Sequence, residues 1–503
     1  MYDRAQDDLP RFNFKPSWTF GYLMALGTAA LFFGVSFVAY SYGAVPPIVS
    51  GSIGVAFAIC AGLSAIMLVL GGGGMASLPY FLIGAGLFYG MGTYFSVTVT
   101  RSSLFFTEGQ QWQMLPQVNL VNALAIFCAV LSAGVICARR PKGAEDMPTM
   151  AQRLETMKVL LTPALALGLF VAGIQWITFP VIKNAMFAST ISLLVSVPIF
   201  ALFLSGSLWS ESTRGQRATA VLLFFLVAIE GLLSASKLTT IMPILGFSFG
   251  LWIGERHRFF AVIMAALTIW LYIAMLSSFV PQIRGHVMYD PVNNSVTERA
   301  LIISDIVSSL EERAVEATEK GTFARFSPTQ FSAHFIASYD NNFPGDSLDN
   351  FLVVLVPRLL WPEKPIINPG QQFDTMWRDY EFMSSLAIGF PAEAYWNGGW
   401  HMVALVGLYI GLMVGWFSRK WFLFRRDGWV HGGVFFMSPL LVKSSIWVEA
   451  NIVGAYIGGW VKYMLVILAI DYSIRAIIYL RKRFSEEFDD PLPVDMTPRA
   501  IGT

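Results

Sequence analysis

The chain has 503 residues, 55% of them hydrophobic and only 13% charged, with a formal net charge of +1. Soluble domains carry about 25% charged residues, so the composition excludes a soluble multidomain enzyme and a disordered chain. The lack of a basic stripe excludes a nucleic-acid binder. Aromatics reach 15%, with 15 Trp, a residue favoured at bilayer interfaces.

A membrane helix needs about 20 apolar residues to cross about 30 Å of hydrocarbon. Apolar runs of that kind lie at 18–42, 48–70, 78–99, 117–138, 159–179, 185–208, 218–236, 238–254, 259–280, 400–417, 429–448 and 453–478. The weakest, 238–254, contains Pro243. The first run is too long for a signal-peptide core, which spans roughly 7–15 residues. Cys60, Cys128 and Cys137 fall inside apolar runs and imply neither a disulfide framework nor a metal site.

The expected architecture is an all-α polytopic membrane protein of about 12 spans. With the N-terminus in the cytoplasm and strict alternation, 20 Lys and Arg fall on the inner side. The short outer loops hold only Arg101, Lys183 and Lys237. This asymmetry predicts that both termini are cytoplasmic. The chain then divides into a tail 1–17, spans 18–280, a large outer loop 281–399, spans 400–480 and a tail 481–503.

Small residues recur every fourth position at Gly86 and Gly90, at Gly407, Gly411 and Gly415, and at Gly454 and Gly458. That spacing predicts close helix packing. Gly71–Gly74 is followed by no Lys-Ser/Thr pair and reads as a short inner turn. Charges within spans are functional hypotheses by default. Glu230, Lys237, Lys443, Glu449 and Lys462 are such charges, with snorkelling or mutual pairing as the plain alternative. Asp471 and Arg475 have the spacing of a local i,i+4 pair.

The outer loop holds 8 basic and 15 acidic residues. Its stretch 297–320 suits a charged amphipathic helix with apolar Leu301, Ile302, Ile306 and Leu310. Residues 351–361 are apolar but too short to span, which predicts a re-entrant or interfacial segment delivering Arg358 to the membrane surface. With Lys364 and Arg378 this stretch is locally basic. Arginine's planar fork at headgroup depth suits a lipid phosphate or diphosphate.

No HExxH, G-x-S-x-G or CxxC occurs, and the five histidines are scattered. Asp340-Asn341-Asn342 hints at a calcium loop but fails the EF-hand pattern. No metal or other cofactor is expected. Glu393 sits in an aromatic, Gly-rich stretch from Gly389 to Trp400, where Tyr395 and Asn397 suit sugar faces and hydroxyls. Desolvation there would make Glu393 a better base; the alternative is a carboxylate at a helix start, favoured by the dipole.

The stretch Pro357 to Pro365, the stretch Gly389 to Gly399 and the run Leu233-Ser234-Ala235-Ser236-Lys237 resemble elements of the Wzy-type polymerases of bacterial O-antigens and exopolysaccharides. The resemblance implies a GT-C-like multi-helical fold in the bacterial inner membrane. It implies an enzyme joining undecaprenyl-diphosphate-linked oligosaccharide repeat units on the periplasmic face, alongside a flippase and a chain-length-regulating co-polymerase. Glu393 would then be the catalytic base. Arg358, Lys364 and Arg378 would bind the diphosphate, with Arg284 and Lys237 in support, and Trp361, Tyr395 and Asn397 would face the glycan. The chain departs from the family in offering few basic residues on its other outer loops. An O-antigen ligase, a twelve-span transporter and a non-catalytic assembly subunit are the competing readings.

Overall fold

The computed structural model describes residues 17–43, 45–98, 108–138, 157–178, 196–234, 237–254, 257–271, 296–308, 328–349, 351–356, 361, 363–364 and 388–489. All regular structure among them is helical, which is how a backbone in hydrocarbon satisfies its own hydrogen bonds. In chain order the helices are α1 (Trp18–Tyr42), α2 (Pro47–Leu68), α3 (Ser77–Thr98), α4 (Glu108–Cys137), α5 (Lys158–Thr178), α6 (Ser196–Ser207) and α7 (Arg214–Leu233). They continue with α8 (Lys237–Ile253), α9 (Arg258–Leu271), α10 (Val296–Ser308), α11 (Thr329–Asp340), α12 (Phe390–Asp427), α13 (Gly433–Ile446) and α14 (Trp460–Asp489). Eight helical segments are long and apolar enough to cross a membrane, and four shorter apolar helices of 10–17 residues occupy the other predicted span positions.

Local chemistry fixes the helix starts. The Ser17 hydroxyl accepts from the Phe20 amide at α1. Thr213 and Gln216 form a reciprocal capping box at α7.

Lipid is as apolar as leucine, so membrane helices associate through tight packing rather than hydrophobic burial. The most extensive helix–helix interface among the described residues joins α12 to α4. Gly407, Gly411 and Gly415 of α12 lie against the backbone of Ala125, Ala129 and Ala133. The Ser132 hydroxyl crosses the seam to the Leu408 carbonyl at 2.9 Å. Gly86 and Gly90 meet Gly54 and Ala58 of α2 in the same manner. The third small-residue pattern behaves differently. Gly454 faces its own cap, Asn451, and Gly458 faces Val354 of the connection between α11 and α12, so neither joins two membrane helices.

Edge-to-face aromatics continue the core toward α14. Tyr89 meets Phe390, which meets Tyr456, which meets Trp460, with centroids 4.7–5.9 Å apart.

At the pole where α1 begins, the Trp18 indole donates to the Cys137 carbonyl at 2.6 Å. Gly72 takes a positive φ of 97° that turns its carbonyl toward Arg425, which donates at 3.0 Å. The Gly71–Gly74 stretch is thus a turn, as expected. The Asp471–Arg475 pairing is corrected: Asp471 accepts from Lys420 at 2.7 Å and from the Gly433 amide at 2.9 Å. Arg475 instead lies over the Tyr472 ring. The long-range partner wins because both ions are buried, where an ammonium and an amide together satisfy the carboxylate.

Other expectations also change. The tenth predicted span, 400–417, is preceded by a short helix at 390–397 across a break at Gly398 and Gly399, and runs on to Asp427. The 351–361 run has, in its described part, one 3₁₀ turn at Val353–Leu355 and no longer helix. Leu301 of α10, expected on an apolar face, is 65% exposed. The buried anchor of α10 is Arg299, whose guanidinium donates to the Leu233 carbonyl at 2.8 Å, a cation at a helix C-terminus.

Gly411→Leu should lower stability by about 1–3 kcal/mol, because a side chain there collides with the Ala129 carbonyl and the Ser132 hydroxyl. Gly27→Leu, where a Cβ meets nothing within 4 Å, is the control and should melt like the parent in detergent.

Candidate functional site at the loop pole

The first two turns of α12 form the pole opposite Trp18. Glu393 is fully buried there and sits in the first helical turn, the helix-start placement that the sequence offered as the alternative. Both of its oxygens are engaged. Ser347 donates its hydroxyl to Oε1 at 2.9 Å, and the Ile452 amide donates to Oε2 at 2.7 Å. One carboxylate therefore ties α12 to the segment that carries Ser347 and to the start of the last membrane element.

Asn397, one turn further, extends the clamp. Its Nδ2 donates to Ser347 Oγ at 2.9 Å and to the Glu393 carbonyl at 2.8 Å, and its Oδ1 accepts from the Leu348 amide at 3.1 Å. The Trp396 indole donates to the Phe343 carbonyl at 3.0 Å. The Gly345 amide returns a bond to the Trp396 carbonyl at 2.9 Å. Segment 343–348 is thus fastened to α12 by every second or third residue. The helix breaks directly afterwards: Gly398 and Gly399 are non-helical, and Gly399 has a φ of 62°.

Beside this clamp lies a carboxylate that faces out. Asp340, the last residue of α11, is exposed. Its Oδ1 accepts from the Tyr395 hydroxyl at 2.9 Å and its Oδ2 from Gln117 Nε2 at 2.8 Å. Tyr339, Tyr395, Trp400 and Tyr40 stand edge to face around it, with centroids 5.1–6.2 Å apart. Four helices, α1, α4, α11 and α12, converge on this aromatic, amide and carboxylate patch. Each carboxylate oxygen keeps a lone pair for an incoming hydroxyl.

The remaining predicted residues are dispersed. Arg284, Arg358 and Arg378 lie outside the described residues, as does the side chain of Lys237, whose backbone begins α8. Lys364 donates to the carbonyls of Val354 and Val356, each at 2.9 Å, and so closes its own loop. Trp361 is exposed. Tyr395 and Asn397 do belong to the pole, Tyr395 through Asp340 and Asn397 through Ser347. Sequence reasoning passed over Asp340, Gln117 and Ser347. Asp340 was visible only as part of a failed calcium pattern, and Gln117 lies 223 residues from it. Among the described residues no cluster of three His, Cys, Asp or Glu is arranged to hold a metal.

A family model describing a domain of unknown function, DUF8712, matches residues 78–420. The chain belongs to this family. No curated protein and no solved structure matches it. The DUF8712 segment carries Gln117, Asp340, Ser347, Glu393 and Asn397, whereas Ile452, which completes the Glu393 clamp, lies beyond it.

Glu393→Ala should destabilise by about 2–4 kcal/mol, since it strands a buried hydroxyl and a buried amide. Glu393→Gln should cost less, about 1–2 kcal/mol, because the amide can accept from Ile452 and donate to Ser347, leaving only the Ser347 proton without its acceptor. Thermal unfolding of the two purified variants checks the pair.

His334 of α11 is buried, and burial pushes its pKa from 6.5 down to about 4. The folded protein then holds this ring neutral where the unfolded chain would protonate it. Stability should be full above pH 6.5 and decline toward pH 4. His334→Leu should flatten that part of the unfolding-versus-pH profile.

Proposed function

We propose that the protein is a membrane glycosyltransferase that polymerises undecaprenyl-diphosphate-linked oligosaccharide repeat units into a surface polysaccharide. In this reading the bundle is a twelve-span, GT-C-like fold in the bacterial inner membrane. The loop pole is periplasmic and both termini are cytoplasmic, in keeping with the basic-residue asymmetry. The flippase and the chain-length regulator are its expected partners.

The observation that carries the reading is Asp340, a reachable carboxylate framed by Tyr395, Gln117 and an aromatic rim at the end of an apolar bundle. Aromatic faces suit sugar C–H surfaces, and the amide and carboxylate suit sugar hydroxyls. In the proposed step the hydroxyl of an incoming repeat unit attacks the anomeric carbon of the lipid-linked chain. The bond from that carbon to the diphosphate oxygen breaks, and the hydroxyl proton passes to Asp340. Cationic side chains would balance the charge growing on the departing diphosphate. Arg358 and Arg378 are the proposed groups, with Arg284 and Lys237 in support. Lys364 is already committed to two carbonyls, which suits it better to shaping the loop. Glu393 is proposed as a strut rather than the base, because it is sealed from solvent, whereas Asp340 is exposed.

Purified protein should extend synthetic lipid-linked repeat units in the presence of EDTA, read as glycan length on a gel. Asp340→Asn should slow extension about 10²- to 10⁴-fold, whereas Glu393→Gln should stay within about tenfold of the parent, since a strut loses little when shape and hydrogen bonds are kept. Normal extension by Asp340→Asn would remove the assignment. Accumulation of single lipid-linked units in a deletion strain tests the polymerase reading itself.

A further inference from the structure

A second polar feature lies within the bundle, away from the loop-pole site. Lys443 of α13 and Lys462 of α14 both line a cavity of about 290 Å³ between α6, α7, α8, α13 and the 452–463 stretch. The hydroxyl residues Ser196, Thr239 and Tyr463 share its wall. The rest of the wall is mainly apolar, formed by Ile199, Val227, Met242 and Leu440.

Neither ammonium has a hydrogen-bond or carboxylate partner among the described residues. Glu230 stands on α7, one turn beyond the cavity-lining Val227, yet one of its oxygens is buried with no hydrogen-bond partner. No ion pair joins it to either lysine among the described residues. A charged side chain among membrane helices is expensive, and two like charges on one cavity repel in a low dielectric. The fold retains both, on different helices, facing one space.

We propose that Lys443 and Lys462 form an intramembrane oxyanion site that takes a phosphate group. A phosphate presents several acceptor oxygens and no obligatory donor, which matches two ammoniums and a set of hydroxyls. A monatomic anion would leave most of the volume empty, and a lone carboxylate would leave one ammonium unmatched. The site stands on the cavity and its charges, so it holds whether or not the protein polymerises glycans.

The test uses the purified full-length protein in nanodiscs of zwitterionic lipid, with calorimetric titration at constant ionic strength. Inorganic pyrophosphate probes for a free anion, and farnesyl diphosphate probes for a lipid-borne one. At least one probe should bind saturably at one site per chain. Lys443→Met and Lys462→Met should each weaken that binding about 10- to 100-fold. Without ligand both variants should melt no lower than the parent, because each removes an unpaired charge from the bundle. Equal binding of the two probes identifies a free phosphate species as the occupant, and binding of farnesyl diphosphate alone identifies a lipid headgroup; either upholds the site. Absence of saturable binding by both probes, or parental affinity in both variants, overturns it. So does a lower melting point of the ligand-free variants, which would make the lysines props of the fold. Polymerisation is not the readout, so failure here leaves the Asp340 assignment standing.

Discussion

Two helices in lipid gain nothing from hiding apolar surface from each other, and must instead touch closely enough for dispersion forces to add up. The seam between α4 and α12 meets that demand with glycine opposite alanine over two full turns, so that backbone lies on backbone. The position of α12 sets much of the rest. Its lower end brings Lys420 to Asp471 and Arg425 to Gly72, and its upper end brings Glu393 to Ser347 and Ile452. A single small-residue stripe therefore holds both poles in register.

The two carboxylates at the loop pole illustrate how environment divides roles between like groups. Glu393 is enclosed and saturated with donors from two other elements, which makes it a fastening. Asp340 is held just as firmly, by Tyr395 and Gln117, but on the outside, where holding a group still is compatible with presenting it to a ligand. The buried residue organises the segment that the exposed residue follows, since segment 343–348 begins three residues after Asp340.

Much of the bundle was legible in the sequence, because membrane spans are written as local runs of apolar residues. The starts of α1, α2, α3 and α5 fall within a residue of expectation. The packing role of Gly407, Gly411 and Gly415 was legible for the same reason, as a short period on one face. The site was less so. Glu393, Tyr395 and Asn397 were found through a local aromatic pattern, yet their partners Ser347, Asp340 and Gln117 lie 46 to 278 residues away. Asp471 was paired with Arg475 because adjacency on a helix is visible in one dimension, whereas Lys420, 51 residues off, is not. The short helix at 390–397 was not legible because Gly398 and Gly399 read as the end of a loop, when they separate two helical pieces.

That break has a mechanical meaning. Above it, residues 390–397 are a short rod riveted to the loop; below it, the rest of α12 is wedged against α4. A force applied to the loop can enter the bundle through the two glycines, as well as through Ile452 and through Gln117 of α4. Glycine offers the least torsional resistance of any residue, so the share of the load that takes the first route bends the chain at Gly399 before it pulls on the tightly seated shaft beneath.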